Sequence, residues 1–248
     1  MKKRLFSILL CMALVLGMAA CGKSDTSQTK AQENDEKKEQ DASQEGTEPE
    51  DADEPESQAG QASDGKALVV YFSVPETDSA EDMNAEEKNS TVVIDGEVLG
   101  NTQYVAYVIQ ENTGADIFRI EPKAPYPMDH AELEEVATEE KSNNAMPEIA
   151  AEVENMEQYN TVFLGYPNWY ADMPRIIYSF LDKYDLSDKT VVPFVTSGGS
   201  GFSDTINTIT ELEPEAEVIT DGLSISRNVV QDAESDIIEW LKSLGYSE

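Results

Sequence analysis

The stretch TVFLGYPNWYADMPRIIYSFLDKYDLSDKTVVPFVTSGGSGF, Thr161–Phe202, decides the fold. It opens on an apolar run, Thr161–Gly165, and nears its end with another, Thr190–Val195. Ile176, Ile177, Phe180, Leu181 and Tyr184 recur between them at three- and four-residue spacing, the period of a helix buried on one face. Strand, helix, strand is a βαβ unit, so the strands are parallel and the loops leaving them share one edge. The first of these loops is Tyr166-Pro167-Asn168-Trp169-Tyr170; the second is Thr196-Ser197-Gly198-Gly199-Ser200-Gly201. A flat aromatic and a glycine-rich hydroxyl loop therefore face one crevice, which suits a planar ligand with polar edges.

Upstream, Ala67-Leu68-Val69-Val70-Tyr71-Phe72 is the continuous apolar run of a doubly buried parallel strand, ending in Ser73. A polar stretch, Val74–Ser90, precedes Thr91–Leu99, where Asp95-Gly96 predicts a hairpin. Gly100-Asn101-Thr102 opens a helix, and Gly114 stops it. Asp116–Ile120 reads as the second strand. Acidic helical patterns follow over Asp129–Lys141 and Pro147–Asn155. A further helix starts near Ser203, and Ala216–Ile225 is a fifth strand interrupted at Asp221-Gly222. The last helix spans Asp232–Leu244. Five strands alternating with helices predict a doubly wound, five-stranded parallel sheet over residues 67–248.

A helix N-terminus offers unpaired N–H groups and partial positive charge, so Gly100, Asn101 and Thr102 form a candidate anion cradle, completed by the Ser73 hydroxyl. Strand end and helix start are separated by an excursion of 26 residues, 74–99.

These segments resemble the flavodoxin-like family, in particular its longer bacterial members. The resemblance covers about residues 67–245. It is carried by Tyr71-Phe72-Ser73, Gly100-Asn101-Thr102, Gly165-Tyr166-Pro167-Asn168-Trp169, Pro174, and Lys189-Thr190 through Pro193-Phe194 to the loop Thr196–Gly201. Flavodoxin, with FMN at its topological switch point, is a standard example of this topology. The resemblance implies FMN as cofactor. Ser73, Gly100, Asn101 and Thr102 would take its phosphate. Pro167, Asn168, Trp169 and Tyr170 would frame the ring, with Trp169 stacked on it. Thr196, Ser197, Gly198, Gly199, Ser200 and Gly201 would donate N–H groups to the pyrimidine edge. The chain departs from the family in the excursion and in the absence of a glycine beside Trp169, where Asn168, tolerant of positive φ, would substitute. His130, the only histidine, reads as a surface residue of the acidic helix. Thr113-Gly114-Ala115-Asp116 resembles a covalent-flavin motif but carries Asp116 where a hydroxyl acceptor is expected, and is set aside.

The N-terminal residues have a different logic. MKKRLFSILLCMALVLGMAAC is a basic start, an apolar core and a small-residue ending, a bacterial export leader over residues 1–21. Its ending, Met18-Ala19-Ala20-Cys21, resembles the lipobox of bacterial lipoproteins, which implies lipidation of Cys21. An ordinary cleaved leader and a retained anchor are the alternatives. Cys11 leaves with the leader, so the mature domain has no free thiol, which excludes disulfides and cysteine metal sites. Residues 22–66 carry 14 acids against 5 lysines and no aromatic side chain, a composition that predicts a disordered tether. The expected location is extracytoplasmic, lipid-anchored to the cell membrane.

The formal net charge of −33 argues against nucleic acid as a partner. The reading that results is a tethered FMN protein acting in electron transfer with a redox protein or a small acceptor. Two others stay open: an FMN-dependent NAD(P)H or quinone-type reductase, and a flavin-free binding module. Mass spectrometry of the mature N-terminus is expected to find a lipid-modified Cys21; an unmodified terminus downstream of it rejects that assignment.

Overall fold

The computed structural model describes residues 65–247. The leader, Cys21 and nearly all of the acidic tether lie outside the described residues; Lys66, the last residue assigned to the tether, is the first of strand β1 (Lys66–Tyr71).

The sheet is parallel throughout. β1 pairs on one side with β4 (Asp116–Arg119) and on the other with β5 (Tyr159–Pro167). β5 pairs with β6 (Thr190–Ser197). The fifth position is shared by two short strands, β7 (Glu217–Val218) and β8 (Leu223–Ser226), both paired with β6. The break between them falls at the expected Asp221-Gly222. A side chain at Gly222 would strike the Pro193 carbonyl and the Phe202 ring, each at 2.7 Å, so the chain passes there on a glycine.

Alternate residues of each strand serve opposite faces. Val69, Tyr71, Phe163, Val192 and Phe194 pack under α2 (Asn101–Thr113) and α6 (Glu234–Ser243). Leu68, Val70, Val162, Leu164, Tyr166, Val191 and Val195 pack under α4 (Arg175–Lys183) and α5 (Thr205–Leu212). The long acidic helix α3 is His130–Asn143. Strand order runs outward from β1 to β4, then back across β1 to β5 and β6. The reversal opens a crevice at the carboxyl ends of β1 and β5.

The excursion is a small unit. Asn84 caps α1 (Ala85–Ser90): its Oδ1 accepts from the Glu87 N–H at 2.9 Å, while its own N–H donates to Glu87 Oε2 at 2.7 Å. Strands β2 (Thr91–Ile94) and β3 (Glu97–Gly100) then form the expected antiparallel hairpin. Asp95 and Gly96 take φ of 51° and 87°, as a two-residue primed turn requires.

The helix expected over Pro147–Asn155 does not form. The segment lies extended against the loop after β4: Lys123 N–H donates to the Glu148 carbonyl at 2.7 Å and Ala150 N–H to the Glu121 carbonyl at 2.8 Å. Only Ile149 and Val153 reach the core, and Asn155 turns the chain with φ of 52°. Two apolar side chains packed from an extended segment outweighed the helical spacing of the acids.

At the end of α5, partial burial and the charge of Asp185 push the Glu213 carboxyl from 4.5 up to about 7. The folded domain thus holds a proton that the unfolded chain releases at lower pH, and stability falls as pH rises from about 4.5 to 7. Glu213→Gln is expected to raise the melting temperature at pH 8 and leave it unchanged at pH 4. An equal shift at both pH values rejects this account.

Candidate functional site

β1 runs out through Phe72, whose N–H donates to the Gly165 carbonyl at 3.0 Å, into the buried Ser73. The chain departs for 26 residues and returns at Gly100. There it closes on itself: a Cβ on Gly100 would lie 2.1 Å from Ser73 Oγ. The excursion thus leaves strand end and helix start in contact. Gly100 is the N-cap of α2, and its N–H donates to Gln103 Oε1 at 3.2 Å. The amides that follow, in the first turn, have no partners inside the helix.

Three loops thus surround the site, the first running from Ser73 to the start of α2. Thr102 is 1 % exposed, and its hydroxyl pairs with that of Thr196 at 2.8 Å, tying that first loop to the end of β6. Asn168 ties the second, Tyr166–Tyr170, to the third, Thr196–Gly201. Its N–H donates to the Thr196 carbonyl at 2.9 Å, and its Nδ2 to the Gly201 carbonyl at 2.8 Å and to Ser203 Oγ at 3.1 Å. Asn168 does not take the left-handed conformation expected of it; Tyr170 and Ala171 do, with φ of 53° and 60°. They form the tip of a tight turn in which Trp169 and Asp172 exchange backbone hydrogen bonds of 3.0 Å.

Ser73, Asn101, Thr102, Pro167, Asn168, Trp169, Thr196, Ser197 and Gly198 line one cleft of about 150 Å³. Tyr170 does not join them. Its side chain is exposed outside the cleft, and its carbonyl accepts from Lys141 Nζ at 2.7 Å. Nor do Gly199, Ser200 and Gly201. The N–H groups of Gly199 and Gly201 are already given to Ser197 Oγ at 3.2 and 3.0 Å, which leaves Gly198 as the one glycine of this loop that lines the cleft. The set-aside Thr113–Asp116 segment lies where α2 ends and β4 begins, at the opposite end of the sheet.

Two observations bear on what the cleft holds. Asn101 is buried and its Nδ2 donates to the Asn89 carbonyl at 2.8 Å, yet its Oδ1 has no partner among the described residues. A buried acceptor left open in a cleft wall asks for a ligand donor. Trp169 is held from behind, edge-on to Phe72 at 5.5 Å and to Tyr126 at 5.7 Å between ring centroids. Tyr126 donates to Glu140 at 2.8 Å. Burial, then that hydrogen bond, raises the Tyr126 hydroxyl well above the usual tyrosine range, so it stays neutral.

The cleft also contains residues that motif reading missed. Glu76, Asn89 and Ser90 come from the excursion, His130 and Leu133 from α3, and Arg227 from the end of β8. His130 Nδ1 lies 2.7 Å from Glu76 Oε2, and the Glu76 side chain is only 8 % exposed. The one histidine is thus a clasp between α3 and the excursion. Arg227 was traceable through topology: it follows a strand paired with β6, so it emerges at the same edge as Ser197 and Gly198. Among the described residues no cleft hydroxyl is hydrogen-bonded to His130 or to a carboxylate, and no cluster of metal-ligating side chains occurs. Hydroxyls, backbone amides and a flat ring are what the cleft presents.

A family model described as "Flavodoxin" matches residues 90–244. Comparison with curated proteins gives no match. Among solved structures, a putative flavoprotein from Bacteroides eggerthii is 27 % identical, with a TM-score of 0.55 over 73 % of this chain and 98 % of that one. A putative flavoprotein from Bacteroides uniformis is 25 % identical, with a TM-score of 0.50 over 68 % and 96 %. A flavoprotein from Lactobacillus acidophilus, solved in complex with FMN, is 19 % identical, with a TM-score of 0.47 over 69 % and 99 %. The matched span runs from the last residue of α1 through α6, more than half of the sequence, and with the strand order around β1 it settles the family: this chain belongs to the flavodoxins.

Proposed function

We propose that the cleft holds FMN and that the protein is an electron carrier tethered outside the cytoplasmic membrane through Cys21. The observation that carries the cofactor reading is the closure of Ser73 on Gly100 at the first turn of α2, beside the open Asn101 Oδ1. Ser73, Thr102 and the first-turn amides of α2 would hold the phosphate. Asn101 Oδ1 is an acceptor with its amide nitrogen already engaged, so it suits a hydroxyl of the sugar-alcohol chain better than a phosphate oxygen. Pro167, Asn168 and Trp169 would flank the ring, and Gly198 would face its polar edge. FMN, when bound, supplies one- and two-electron transfer.

The carrier reading rests on charge. Residues 67–248 hold 36 acids and 9 bases. Such a field repels NADPH, itself a polyanion, and steers a basic protein partner toward the cleft. A second reading, reductase of a small apolar acceptor, draws on a groove of about 310 Å³ behind the aromatic cluster, lined by Phe72, Ile120, Pro125, Tyr126 and Met128.

Titration of the mature protein with FMN is expected to quench flavin fluorescence. Trp169→Ala should restore emission and weaken binding about tenfold, since ring pairing contributes roughly 0.5–1.5 kcal/mol beyond area burial. Gly100→Ala, at a backbone φ of −69° that alanine adopts freely, should push Ser73 aside and weaken FMN at least about tenfold while leaving riboflavin nearly unaffected. Absence of FMN binding at micromolar concentration would favour the flavin-free module.

Stopped-flow mixing separates the two redox readings. Reduction by NAD(P)H is expected to be slow, and exchange with a cationic redox protein fast and slowed by salt, as screening over about 8–10 Å requires. Rapid, saturable NAD(P)H oxidation with a quinone acceptor would overturn the carrier reading.

A further inference from the structure

Three arginines follow the tether, and two of them are committed to the fold. Arg119 donates to the Ser73 carbonyl at 3.3 Å and faces Glu121 at 3.9 Å. Arg175 donates to the Ala145 carbonyl at 2.9 Å and lies over the Tyr178 ring at 3.9 Å. Arg227 is different. Its backbone N–H donates to the Ser197 carbonyl at 2.9 Å, which fixes where the side chain starts. Its guanidinium lies against Gly198, with Cζ 3.0 Å from where a Cβ would stand, and lines the cleft. None of the ion pairs among the described residues involves it. An exposed guanidinium left without a carboxylate, in a domain with four times as many acids as bases, is an unused charge aimed at the cleft.

The other titratable side chains lining the cleft are the clasped pair Glu76 and His130, which come from the excursion and α3. Arg227 comes instead from the fifth sheet position, against the third loop. It is therefore placed for the polar edge of a ring resting on Gly198 rather than for a phosphate at Ser73 and Thr102.

We propose that Arg227 is a positioning residue that sets the redox preference of the site: its guanidinium stabilises the negative charge that reduction by two electrons and one proton adds to a bound flavin ring, offsetting locally the acidic field of the domain. This rests on the reading of the cleft as a flavin site. The arrangement favours the reduced over the oxidised flavin and raises the midpoint potential above the value that the surrounding carboxylates alone would impose.

The test is a redox titration of the mature, FMN-loaded protein with dithionite at low salt, joined to binding of oxidised FMN and of riboflavin. Arg227→Gln is expected to lower the midpoint potential by about 30 mV, a tenfold loss of preference for the reduced ring at about 30 mV per decade for two electrons. Oxidised FMN and riboflavin should bind nearly as before. Arg227→Lys should retain part of the potential, and Lys242→Gln, which removes a cation from the last turn of α6, should leave it unmoved. Salt should shrink the difference between the parent and Arg227→Gln. An unchanged potential in Arg227→Gln overturns the proposal. So does a loss of FMN affinity that spares riboflavin and is equal in both redox states, since the arginine would then serve the phosphate. Wild-type protein that binds neither flavin defeats the flavin reading itself, a failure seen before any variant is made.

Discussion

The missing Cβ of Gly100 is the constraint on which the cleft depends. β1 must end in a buried hydroxyl and α2 must begin beside it, although 26 residues intervene. A long insertion between two such points costs little loop entropy as it lengthens, because closure entropy grows only with the logarithm of length. It does cost order within the insertion, and the chain meets that locally: the Asn84–Glu87 cap, the Asp95-Gly96 turn and the β2–β3 ladder each fix a piece of it. His130 then pins the excursion to α3 through the nearly buried Glu76. What begins as an interruption of the anion cradle ends as one wall of the cleft.

The two opposing walls are held in place by ring contacts and hydrogen bonds made within the protein. On one, Phe72 and Tyr126 brace Trp169, and the Tyr126 hydroxyl is anchored by Glu140, whose own carboxyl burial raises above the usual range. On the other, Ser197 Oγ gathers the Gly199 and Gly201 amides and Thr196 is locked to Thr102. Amides spent this way are lost as ligand donors. In exchange the loop is ordered before anything binds, which spares a ligand the cost of ordering it.

Much of this was legible in the sequence. The parallel sheet follows from Leu68–Phe72, Thr161–Gly165 and Thr190–Val195, because continuous apolar runs bounded by loops leave few other folds. The αL stop at Gly114 and the hairpin at Asp95-Gly96 follow from residue types that tolerate positive φ. That Ser73, the start of α2 and the two loops meet at one cleft was readable because each sits next to a recognisable strand end. Glu76, His130 and Arg227 were not, because each enters the cleft from an element whose position only the sheet order reveals. The Pro147–Asn155 segment misled for a related reason: acids at helical spacing say nothing about whether Ile149 and Val153 have a surface to cover.

The acidic surface and the single uncommitted arginine make sense together. An acidic domain repels polyanions, yet FMN, the cofactor proposed for the cleft, carries a phosphate and gains negative charge on reduction. Hydroxyls and helix amides would accommodate the first without a net cation, because a helix N-terminus supplies about half a positive charge that travels with the backbone. The second falls where the third loop has given two of its amides to Ser197. A guanidinium held by a strand end is a compact way to restore positive potential at that point. It is mounted on β8 rather than on the loop, so the loop keeps the glycines its turn requires: Gly199 and Gly201 take φ of 127° and 56°, values that a longer side chain would resist.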